Sequence, residues 1–74
     1  MDEAEQKRRA LELVLEAWDK ALGEGVEAEI VASVAIFAAL ADMIDRHGAD
    51  AVAAFCATLP AKARAGEFTL RTQE

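Results

Sequence analysis

The stretch from Ile30 to Ile44, IVASVAIFAALADMI, is interrupted by only two polar residues, Ser33 and Asp42. Wound at about 3.6 residues per turn, it has no clean polar face. One stripe holds Val26, Ile30, Ser33, Phe37, Leu40, Ile44 and His47, and another holds Val31, Val34, Ala38 and Ala41. A third holds Ala28, Ala32, Ala35, Ala39 and Asp42, with Ile36 and Met43 between the stripes. A helix that is apolar all round is either enclosed by protein or spans a membrane.

Length argues against the membrane. The uncharged run from Ile30 to Ala41 makes about 18 Å of helix, against a hydrocarbon core of about 30 Å. Glu27 and Glu29 precede the run, and Asp42, Asp45 and Arg46 follow it. The helix therefore has to be covered by protein, and a chain of 74 residues has little to cover it with. Alanine, present 18 times, favours helix but buries little area. With a single cysteine and no evident metal site, association of copies is the remaining common source of burial in so small a chain. The strip expected to stay uncovered is Ala32, Ile36, Ala39 and Met43, with Leu13 of the first helix as a second contact point. The expected assembly is a homodimer.

Periodicity and end signals divide the rest. Asp2 with Glu5 three residues on forms a helix-opening pair, and the first helix is expected over about 3–22. Its inward face is Leu11, Val14, Leu15, Trp18 and Leu22, at steps of three and four. Glu5–Arg9, Arg8–Glu12 and Glu16–Lys20 are spaced for ion pairs on its wet side. Gly23 is expected to end this helix in the left-handed conformation and Gly25 to open the next. The second helix is expected over about 26–47, closed by Gly48, and the third over about 49–59, with Val52, Phe55, Cys56 and Leu59 inward. Pro60 breaks it and starts a short C-terminal helical turn through Ala65, which Gly66 stops. Phe68 is placed to fold the tail back through a Schellman-type contact. Residues 71–74 are expected to fray. The fold class is all-α, a three-helix bundle in one small domain, 1–74.

Little in the chain suggests chemistry. Cys56 and His47 are the only thiol and imidazole, and no oxyanion donor accompanies them. Asp42, Asp45, His47 and Asp50 could be gathered into a metal site, but their spacings do not share one helix face. The segment 42–59 has the order of a helix-turn-helix, yet its second helix offers Asp50, Ala51, Ala53, Ala54 and Thr58, none of which is an Arg, Lys, Asn or Gln to read a base edge. The net charge of −6 opposes phosphate binding. The four glycines are scattered helix ends rather than a phosphate loop.

The expectation is a protein that is not an enzyme, with no cofactor or metal, no nucleic-acid partner and no membrane span. The lone cysteine and the acidic N-terminus, unlike a signal peptide, point to the cytoplasm. The expected function is self-association, or docking of another protein, through the apolar face of the second helix. The alternative is carriage of an apolar small molecule in a cavity between loosely packed helices.

Overall fold

A computed structural model describes residues 1–69; the expected fraying of 71–74 lies outside them. The described residues are all-helical. Two long helices, α1 (Glu3–Gly23) and α2 (Ala28–His47), are followed by a third that is bent into α3 (Ala49–Cys56) and α4 (Leu59–Arg64). By packing, the chain divides into two compact units, Met1–Phe37 and Ala38–Glu74.

In the first unit, α1 opens on Asp2, whose carboxylate accepts the Glu5 backbone N–H at 2.8 Å. That bond satisfies one of the donors a helix start leaves unpaired, and Glu3 and Glu5 add negative charge at the positive end of the helix dipole. The wet side carries Arg8–Glu12 at 3.9 Å and Arg9–Glu12 at 3.1 Å. Arg9 thus turns toward Glu12 rather than back to Glu5, and both pairs are too exposed to add much stability.

The end of α1 differs from the sequence expectation. Gly23 is its last helical residue, and the left-handed residue is Gly25, with φ 96°. The Val26 N–H donates to the Ala21 carbonyl and the Gly25 N–H to the Leu22 carbonyl, both at 3.1 Å. These are the two bonds of a Schellman closure centred on Gly25. Either glycine fits a helix stop in the sequence. Placing the turn at Gly25 sets Val26 one position beyond it, where it meets the same groove as Ala21. In consequence α2 starts at Ala28, two residues later than expected, with the Glu27 carbonyl accepting from the N–H groups of Ile30 and Val31.

In the second unit, Gly48 both closes α2 and caps α3. Its N–H reaches the Ile44 carbonyl at 2.8 Å, and its carbonyl accepts from Val52. It does so at φ 85°, ψ 157°, a region essentially confined to glycine. The third helix breaks a turn earlier than expected, after Cys56 rather than at Leu59. The reason is Pro60. Its ring lacks an N–H for the Cys56 carbonyl and would collide with it, so the chain must leave the helical path before the ring arrives. Thr58 bridges the break: its hydroxyl donates to the Phe55 carbonyl at 2.7 Å. Leu59 then starts α4, with Pro60 in its first turn. Gly66 ends α4 with another Schellman pair, but the outer residue is Glu67, bonded to the Lys62 carbonyl, and Phe68 stands exposed instead of folding back. The register is one residue short of bringing Phe68 to the contact position.

Shelter is scarce. Val52, at 4% exposure, is the one buried side chain among the described residues. Cys56 and Leu59, four and seven residues on, share its stripe and are half-buried, as expected; Phe55 is exposed. The inward face expected for α1 is open along its length: Leu11, Val14, Leu15 and Leu22 are exposed, and only Trp18 is half-buried.

Two glycine substitutions separate the roles at the first turn. Gly23→Ala, in a helical position with open space around it, is expected to raise stability by about 0.5 kcal/mol, whereas Gly25→Ala should lower it by about 1–2 kcal/mol. Gly48→Ala should cost about 1–3 kcal/mol through backbone strain alone, since nothing lies within 4 Å of an added Cβ. Urea midpoints for the three variants check this, and equal effects at Gly23 and Gly25 would overturn the assignment of the turn.

Candidate functional site

The first unit contains an apolar groove of about 330 Å³ between α1 and the opening turns of α2. Its half-buried floor is Trp18, Ala21, Val31 and Ala35, and exposed Val14, Ala17, Val26, Ile30 and Val34 complete the lining. The α1 contributors fall at steps of three and four, 14, 17, 18 and 21, so they share one side of that helix. The α2 contributors, 30, 31, 34 and 35, do the same. The Gly25 turn reverses the chain between them. No lining side chain can donate or accept a conventional hydrogen bond except the indole of Trp18. The groove can therefore desolvate an apolar object, but it has little to orient a polar one and no group for acid–base work.

Much of α2 is open, the exposed part of the groove wall included. Phe37 is 75% exposed, Ile36 61% and Val34 60%, and Ile30 is exposed as well. Of the strip expected from the sequence, Ile36 and Ala39 are exposed, Ala32 and Met43 are half-buried, and Leu13 of α1 is exposed. The exposed apolar surface of α2 is thus broader than that strip. It includes Ile30, Val34 and Phe37, spaced by four and three, which form a second stripe. By sequence, Ile30 and Phe37 belong to a stripe separate from the one expected to stay uncovered. The available signal was the four-and-three spacing, but it recurs all round this helix and so selects no side.

Among the described residues, no group of three or more His, Cys, Asp or Glu side chains is placed to hold a metal ion. His47 is exposed and Cys56 half-buried, and no hydrogen bond joins them. Asp42 is taken up in an ion pair with Arg46 at 2.9 Å. None of the described helices is long and apolar enough to cross a membrane. No family model, curated protein or solved structure matches this chain.

The groove's character has a direct readout. The native protein is expected to brighten an environment-sensitive apolar dye such as anilinonaphthalene sulfonate. Ala35→Leu, which adds bulk to the floor, should reduce that signal while preserving helicity. Undiminished dye fluorescence in a folded Ala35→Leu variant would show that the dye sits elsewhere.

Proposed function

We propose that this protein is a small self-associating helical interaction or regulatory module, and that its docking surface is the apolar face of α2. The occupant is a second copy of the chain. The observation that carries this reading is the exposure of Phe37, Ile36 and Val34 on a helix that is apolar on every side. Exposed apolar surface is what association removes from water. The inventory of burial supports the same reading: a chain whose described residues include a single buried side chain gains stability by sharing surface with a partner. Two-fold pairing of identical chains is the commonest solution. Ala32 and Ala39 let a partner backbone approach closely, and Ile36 and Met43 fill the space between.

A second reading is favoured by the groove. About 330 Å³ lies at the small end of ligand-site volumes, and its apolar lining suits an apolar molecule or chain segment. In this reading the protein is a carrier. Native mass spectrometry distinguishes the two, since a carrier retains extra mass on each chain and a simple dimer does not.

Sedimentation equilibrium over a wide concentration range tests the main reading. The expected result is a dimer that dissociates on dilution. Phe37→Glu and Ile36→Glu, about 100° apart around α2, report which side is covered. The covered one should weaken the dimer by roughly tenfold or more, and the other much less. A monomer at every concentration, with an unfolding midpoint unaffected by dilution, removes the proposal.

A further inference from the structure

The first helix carries a surface whose arrangement points to a specific mate. At about 100° per residue, Ala4, Leu11, Leu15 and Leu22 fall within about 40° of one another on α1. All four are exposed, and they lie beside the groove-lining set rather than within it. Their positions are symmetric about the level of Leu13. Leu11 and Leu15 stand two residues before and after it, and Ala4 and Leu22 nine residues before and after. Leu13 itself lies on the far side of the helix from this strip. Two copies of such a strip laid antiparallel match: Leu11 meets Leu15, and the small Ala4 meets the large Leu22, at both ends.

Two of the charges on one flank of the strip follow the same symmetry, while Glu12 on that flank comes level with its own copy to within two residues. Arg8 and Asp19 flank it on one side, five residues before and six after the level of Leu13. In an antiparallel pair, equivalent flanks of the two helices face each other. Arg8 of each copy then comes level with Asp19 of the other to within one residue, or about 1.5 Å of rise. A parallel pair sets unlike flanks together and brings Arg8 beside Lys7 of the other copy, which is repulsive. Within the chain, Asp19 makes no ion pair among the described residues, and Arg8 holds Glu12 only at 3.9 Å. Asp19 is available to a partner, and Arg8 can exchange its long contact with Glu12 for a closer one.

We propose that α1 pairs antiparallel with α1 of a second copy, in the register that opposes Leu11 to Leu15 and Arg8 to Asp19. This deepens the self-association reading and rests on it: it adds α1 to the surface and fixes orientation and register. The contact repeats identically on both copies, as a two-fold interface requires. The apolar strip supplies the attraction, and the paired charges select antiparallel over parallel.

Charge reversal in the full-length protein tests it, read by sedimentation equilibrium with circular dichroism to confirm helicity. Arg8→Glu and Asp19→Lys are each expected to weaken association by roughly fivefold, because two symmetry-related pairs are lost. The double variant Arg8→Glu/Asp19→Lys restores the pairing with signs exchanged and should associate as the unmodified chain does. In a Cys56→Ser background, mixed Leu11→Cys and Leu15→Cys chains should oxidise preferentially to the mixed disulfide dimer rather than to either homodimer. A chain that still associates but shows no charge rescue, and forms the homodimeric disulfides instead, overturns the register and leaves self-association standing. A chain that is monomeric throughout overturns both.

Discussion

The shortage of apolar cover governs this molecule. A helix with an unbroken greasy circumference requires neighbours on every side, each contributing large side chains. The other helical segments are one amphipathic helix and two short pieces of a bent one, rich in alanine. Alanine secures the helical backbone but leaves thin coverage, because its methyl group removes little area from water. Val52 is consequently the one buried side chain among the described residues, and Phe37 stands almost free.

With so little core, local interactions do much of the work of specifying the backbone. Several helix ends have their own solution. Asp2 accepts an N–H at the start of α1, Gly25 and Gly66 allow paired closing bonds after α1 and α4, and Gly48 turns the chain between α2 and α3. Thr58 spans the break that Pro60 imposes. These devices satisfy polar groups that a helix end would otherwise leave unpaired, and they need no tertiary support. The ion pairs on α1 and α2 are exposed and serve solvation more than stability.

The proposed contact surfaces share this origin. The groove beside Trp18, the open residues of α2 and the symmetric strip on α1 are all apolar area the chain leaves in water. None brings together the titratable groups that acid–base or metal chemistry requires. What they offer a partner is desolvation, with shape and a few flanking charges to choose which partner. A helix of another copy and an apolar small molecule draw on the same driving force, and they differ in the area each can cover.

The all-helical character, the number of helices and the glycine and proline punctuation were legible in the sequence, because capping and periodicity act over a few residues. The stripe of Val52, Cys56 and Leu59 was legible for the same reason. Finer placement was not. Gly23 and Gly25 both satisfy the local rule for a helix stop, and the choice between them depends on where Val26 comes to rest. Pro60 announced a break, but its carbonyl clash moved that break upstream by a turn. The direction in which α2 presents its open residues could be decided only in three dimensions. A helix with a polar face orients itself by keeping that face wet, and this one has no such face to read.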